Sequence, residues 1–175
     1  MTDAELARAI REHAYLEGDF VLRSGRRSRY YLDKYRFETQ PAVLQELGAR
    51  IAAAVGDGRR PDRLAGPELG AVALAAAASL ASGVPFVIVR KEAKEYGTER
   101  RIEGLYVEGE HVCLVEDVVT TGGASLAAVE ALRTAGLACD RVVCVVDREE
   151  GGSAALAAAG VELVPLFRAD ELADA

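Results

Sequence analysis

At 175 residues with a formal net charge of −7, the chain suits one domain that buries about two-thirds of its unfolded surface, and its acidity argues against general nucleic-acid or membrane-surface binding. No stretch combines ~18 apolar residues with the flanks of a membrane span, and the opening MTDAELARAIREH is a charged amphipathic pattern without a signal-peptide core, so the expected compartment is the cytoplasm. Of three cysteines, Cys113 and Cys144 lie inside apolar runs and read as small core residues in a reducing compartment, while His13 and His111 stand at no metal-ligand spacing, which argues against structural zinc.

Residues 3–16 carry Leu6, Ala9, Ile10, Ala14 and Tyr15 at helical spacing, with Thr2 or Asp3 as N-cap, and predict a surface helix. Residues 20–22 and 29–32 follow as two short strands turned at Ser24 and Gly25. From residue 23 to residue 36 there are six cations (Arg23, Arg26, Arg27, Arg29, Lys34 and Arg36) against one anion, Asp33. Such a cluster in an acidic chain suits a specific anionic ligand or, equally, a solvated arginine-rich face.

Pro41 opens a second helix, with Thr39 as its N-cap and Val43, Leu44, Leu47, Ile51 and Val55 on its buried face. Beyond the glycines and proline at 56–61 the pattern alternates. It predicts strands at 63–65, 85–89, 112–115, 141–146 and 161–166, with helices at 71–81, 125–133 and 153–159. The alanine-rich helix at 71–81 takes Leu74 and Leu80 as its apolar anchors. Strands alternating with helices imply an α/β fold, a parallel central sheet flanked by helices on both faces, with ligands at the carboxyl ends of the strands.

Four loops are therefore expected to converge at one edge. VCLVEDVVTTGGA at 112–124 runs from an apolar strand into two adjacent carboxylates, Glu116 and Asp117, and then into a Thr-Thr-Gly-Gly turn before a helix. Loop amides and a helix start suit a phosphate, and carboxylates accept from sugar hydroxyls; an ordinary strand-to-helix turn with an acidic rim has the same appearance. GPELG at 66–70 is a tight turn whose amides suit a second phosphate or simply turn the chain. RKEAKEYGTERRIEG at 90–104 is too polar to bury and too long for an ordinary connection, and reads as a lid that brings cations to an anion. The chain has only three lysines, Lys34, Lys91 and Lys94, beside 18 arginines, and two of the three sit in this loop, where a compact ammonium can follow a departing diphosphate. Arg148, emerging from the apolar run at 142–146, is placed to clamp a carboxylate or to pair with Asp147.

With these residues assembled, the chain resembles the type I phosphoribosyltransferases, and within them the orotate phosphoribosyltransferase branch. The stretch at 112–124 matches the family's motif for phosphoribosyl pyrophosphate (PRPP); the orotate branch is matched by FVLRSGRRSRYYLDKYRF, RKEAKEYGT and Asp147-Arg148. The resemblance implies a Rossmann-like single domain over residues 1–175, with a small N-terminal hood at 1–40 and a core at 41–175. It implies that Glu116 and Asp117 hold the ribose hydroxyls and that contacts continue through Val118 and Val119. Thr120, Thr121, Gly122, Gly123 and Ala124 cradle the 5′-phosphate, with Thr120 also near the base. It implies further that Arg90, Lys91 and Lys94 meet the pyrophosphate, with Lys91, Lys94 and Asp117 catalytic, that Arg148 binds orotate, and that Tyr30, Tyr31 and Arg23 belong to the hood. Magnesium (Mg2+) is expected through PRPP, with no metal site of the protein's own, and the family works as a homodimer whose lid reaches the partner's site. Leu69 and Tyr96 depart from the basic residue and the histidine that many relatives carry there. The alternatives are a purine-base phosphoribosyltransferase, or a non-catalytic PRPP-binding regulator of the same fold that binds nucleic acid.

Overall fold

Helix α1 (Asp3–Ala14) is closed at its start by a full capping box, in which Thr2 and Glu5 bond each other's backbone N–H. The computed structural model describes residues 1–21, 25, 27–56, 60–92 and 101–173, and at residues 28, 30, 32 and 173 the backbone alone. The predicted first helix is two residues shorter than its pattern, because Tyr15 already turns extended and opens β1 (Tyr15–Val21). This strand pairs antiparallel with β2 (Arg27–Leu32), a two-stranded hairpin that starts five residues before the predicted one. A five-residue helix, α2 (Lys34–Glu38), follows at once. Thr39 closes it by donating its hydroxyl to the Tyr35 carbonyl at 2.7 Å, so this residue ends α2 and is not the N-cap of the next helix.

The rest of the chain alternates as the pattern requires: α3 (Pro41–Gly56), β3 (Arg63–Pro67), α4 (Gly70–Ser82), β4 (Phe86–Val89), β5 (Ile102–Glu103), β6 (His111–Val119), α5 (Gly123–Thr134), β7 (Ala138–Asp147), α6 (Gly152–Ala158), β8 (Glu162–Arg168) and α7 (Ala169–Ala173). The six-stranded sheet has the order β5-β4-β3-β6-β7-β8 and is parallel except for β5, which runs antiparallel beside β4. The parallel sheet of the sequence reading thus gains one reversed edge strand, made where the polar 90–104 loop returns and buries Ile102.

Alternation along β7 shows the two covered faces. Val143 and Val145 meet Leu47, Ile51, Phe37 and Leu74 from the α1–α4 side, while Val142 and Cys144 meet Leu132 and Leu156 from the α5–α6 side. Leu74 is fully buried, but Leu80 is 89% exposed and anchors nothing. Cys113, Cys139 and Cys144 are free and buried, and burial pushes all three thiols up, to about 12 for Cys113 and about 11 for Cys139. Among the described residues no helix is long and apolar enough to cross a membrane.

Helices α3 and α4 touch at Gly48, where an added Cβ would stand 2.7 Å from the Ala77 Cβ and 2.8 Å from its carbonyl carbon. Gly48→Ala is expected to destabilise the fold by about 1–3 kcal/mol through overpacking. Gly56→Ala, at the open end of the same helix where nothing lies within 4 Å, is the control; urea unfolding of the two variants checks the difference.

Candidate functional site

Strands β3 and β4 end level, Pro67 pairing with Val89, while β6 and β7 end level three residues further on, Val119 pairing with Asp147. Their following loops are tied together by the backbone. The Glu68 N–H donates to the Val89 carbonyl at 2.8 Å and the Lys91 N–H to the Glu68 carboxylate at 2.8 Å. On the other side, the Arg148 N–H donates to the Val119 carbonyl at 2.9 Å and the Gly152 N–H to the Thr120 carbonyl at 3.0 Å.

Strand β6 runs four residues past its apolar opening, so Glu116 and Asp117 are inside the sheet, 6% and 2% exposed. As strand neighbours they face opposite sides. Glu116 accepts from the Ser125 hydroxyl on α5 at 3.1 Å. Burial, and then the charge of Asp117, push its carboxyl up to about 7. Asp117 accepts from the Val118 N–H at 2.6 Å and forms an ion pair with Lys34 of α2, Nζ to Oδ2 2.5 Å. Burial works against the Lys34 ammonium, but the hydrogen bond and charge of Asp117 outweigh it and its pKa rises. Gly70, the first residue of α4, makes room for this pair: a Cβ there would collide with the Asp117 carboxylate and lie 2.9 Å from the Lys34 Nζ.

Glu38, the last residue of α2, is 2% exposed. Burial first, and Asp117 second, raise its carboxyl to about 8.

Thr120, Thr121, Gly122, Gly123 and Ala124 form the turn and first residues of α5, with Gly122 at φ 83° packed against Gly152. The three helices that begin at this edge start from Leu69, Gly122 and Gly151, none with a side-chain cap. The first N–H of α6 is taken by the Thr120 carbonyl, while the uncapped starts of α4 and α5 leave amides suited to an anion. Val118 and Val119 pack into the core, and what they present at the edge is backbone. The Arg148 guanidinium lies 3.1 Å from Glu150, and that of Arg90 lies 3.7 Å from Glu103 across the β4–β5 pair. Lys91 is exposed, two residues past the end of β4. Tyr31 is 45% exposed on the hairpin, its ring 5.6 Å from that of Phe20. Leu69 is 72% exposed. Arg23, Lys94, Tyr96 and the side chain of Tyr30 lie outside the described residues.

The structure therefore gathers Glu116, Asp117, residues 120–124, Lys91 and Arg148 at one edge, and adds Lys34, Glu38, Ser125 and Gly70. The signal for Ser125 was its place in the first turn after the glycines. Lys34 and Glu38 stand at i,i+4 spacing in the sequence, but nothing local points them to a carboxylate on β6.

A family model described as a phosphoribosyl transferase domain matches residues 35–159. The chain is 52% identical over 171 residues to the orotate phosphoribosyltransferase of Methanocella arvoryzae, covering 97% of each, and 50% identical over 158 residues to that of Halobacterium salinarum, covering 90% of this chain and 89% of the other. The orotate phosphoribosyltransferase of Mycobacterium tuberculosis, solved in complex with PRPP, superposes with a TM-score of 0.84 at 31% identity over 98% of both chains.

Proposed function

The chain belongs to the phosphoribosyltransferase family, within it to the orotate phosphoribosyltransferases, and on that footing we propose how its residues transfer the ribose 5-phosphate of PRPP to orotate, giving orotidine 5′-phosphate and pyrophosphate for pyrimidine nucleotide synthesis. The observation that carries the reading is the buried carboxylate pair at the end of β6, running directly into an uncapped loop and helix start. Carboxylates take the ribose hydroxyls, and the amides of residues 120–124 take the 5′-phosphate.

In the reaction a ring nitrogen of orotate bonds to C1 of the ribose as the C1–O bond to pyrophosphate breaks. Positive charge grows on the sugar, where Glu116 and Asp117 oppose it, while negative charge grows on the leaving group. Lys91 and Lys94, with Arg90 once it leaves Glu103, meet that charge. Arg148 turns from Glu150 to the orotate carboxylate, and Tyr30, Tyr31 and Arg23 of the hairpin close over the base. The proton of the attacking ring N–H passes to solvent as the N–C1 bond forms, and because the cationic C1 draws the nitrogen's electrons, the transfer needs no strong side-chain base. Among the described residues no group of three or more His, Cys, Asp or Glu is placed to hold a metal, and we assign magnesium to the oxygens of PRPP, where it offsets charge on the diphosphate. The proposal includes a cytoplasmic homodimer whose 90–104 loop reaches the partner's site, supported by the exposed apolar Leu105 and Val107 beyond β5.

A pyrophosphate-release assay with orotate and PRPP tests this. Release is expected only with both substrates and magnesium, and turnover of adenine or hypoxanthine in place of orotate overturns the assignment. In the same assay series Arg148→Ala is expected to weaken orotate binding by roughly 1.5–3 kcal/mol, the scale of a lost charged hydrogen bond, with PRPP affinity unchanged; titration of each substrate separately checks it.

A further inference from the structure

Helix α2 brings to the edge two groups that the transfer leaves unused. Lys34 and Glu38 are one turn apart and on the same side of the helix. Lys34 already satisfies Asp117, the carboxylate assigned to a ribose hydroxyl. The Glu38 Oε1 is buried with no hydrogen-bond partner among the described residues, an arrangement that settled folds rarely keep without a use for it. Asp117 keeps lone pairs beside the Val118 N–H and the Lys34 ammonium, but while the ammonium sits on Oδ2 it neutralises the charge that the sugar would meet. The Lys34 side chain is about one-third exposed, so an ammonium leaving Asp117 can turn to water or to a second anion, and Glu38 is the buried carboxyl that already feels its charge.

Resting on the PRPP reading above, we propose that Lys34 is a two-position cation, which holds Asp117 in the empty site and moves to Glu38 when PRPP enters, so that both are positioning residues for the sugar. The charged groups acting on Glu38 are Asp117 and Glu116 from β6, with Lys34 and Asp33 from its own segment. Of the helices packed on α2, α4 has no titratable group, α3 has Glu46 and Arg50, which bond each other, and α1 ends in Arg11, Glu12 and His13. In the empty site Glu38, with its carboxyl raised to about 8, is protonated at neutral pH. When the Lys34 ammonium arrives the carboxyl ionises, its proton passes to solvent, and Lys34 keeps its own.

Calorimetric titration of magnesium and PRPP into the full chain near pH 7, in two buffers of different ionisation heat, counts that proton. Wild type is expected to release close to ~1 proton per site more than either Glu38→Gln or Lys34→Met, each of which lacks half of the exchange, and the excess disappears near pH ~9, where Glu38 is ionised beforehand. Glu38→Gln is also expected to bind PRPP about tenfold more weakly, because Lys34 has no second anion. Equal proton counts in wild type and whichever variants fold, with PRPP bound by each, overturn the exchange, since a merely structural Glu38 moves stability and not protons. A wild-type chain that binds no PRPP overturns instead the function it rests on.

Discussion

Asp117→Asn is expected to lower kcat/KM by roughly 10²–10³-fold, the scale seen when one preorganised electrostatic group is removed from a transition state. The substitution keeps the volume of a side chain that is 2% exposed and leaves an oxygen for the Val118 N–H. In the proposed reaction, what it removes is the charge that opposes the ribose ring as it becomes cationic. Breaking a buried ion pair usually destabilises a fold strongly because the partner is left bare, but here Lys34 has Glu38 within a helical turn. The variant is therefore expected to fold and to melt near the wild-type temperature while losing turnover. Steady-state kinetics beside a thermal melt separate the two effects, and activity within a few-fold of wild type would remove Asp117 from the electrostatic role.

Gly152→Ala is expected to lower kcat/KM by about 10²-fold, with most of the loss in PRPP affinity. A Cβ at this position would stand 2.5 Å from the Val119 Cγ1 and 2.6 Å from the Thr120 carbonyl oxygen. Those atoms belong to the end of β6 and the first residue of the phosphate turn, and neither is a flexible side-chain tip. The methyl can be admitted only by moving residues 120–122, and a misplacement of about 1 Å at a reacting site is worth about that factor. Gly56→Ala, far from this turn and with nothing within 4 Å, is the control. PRPP titration of the two variants checks that displacement, and not loss of a glycine as such, is responsible.

The strand, carboxylates and glycine turn at 112–124 were legible because all their parts are adjacent in the sequence, and the sheet was legible because parallel strands leave uninterrupted apolar runs. Arg148 was legible for the same reason, standing just past such a run. Helix α2 was not. Five residues hold too few turns to show a period, and its buried side includes Glu38, which a hydrophobic pattern counts as surface. By sequence the basic cluster at 23–36 suits an outside anion or, equally, a solvated arginine-rich face, yet one of its members, Lys34, is spent on an anion of the chain itself. Strand β5 is two residues long and hidden in a polar loop, and Leu80, apolar by type, has no neighbour in the fold to bury it.

The unequal treatment of helix starts has a consequence of its own. Helix α1, away from the site, is sealed by Thr2 and Glu5, while α4 and α5, which begin at strand ends, have no side-chain cap, an omission that forgoes a few tenths of a kcal/mol to about 1 kcal/mol each. On the reading proposed above, a phosphate bound there would do for the helix what a capping side chain does, and the stability withheld in folding would be returned by the substrate. Durability and occupancy are then one quantity in this enzyme, which is sturdier at work than at rest, and a redesign that sealed those helices from within would be competing with its own substrate for the same hydrogen bonds.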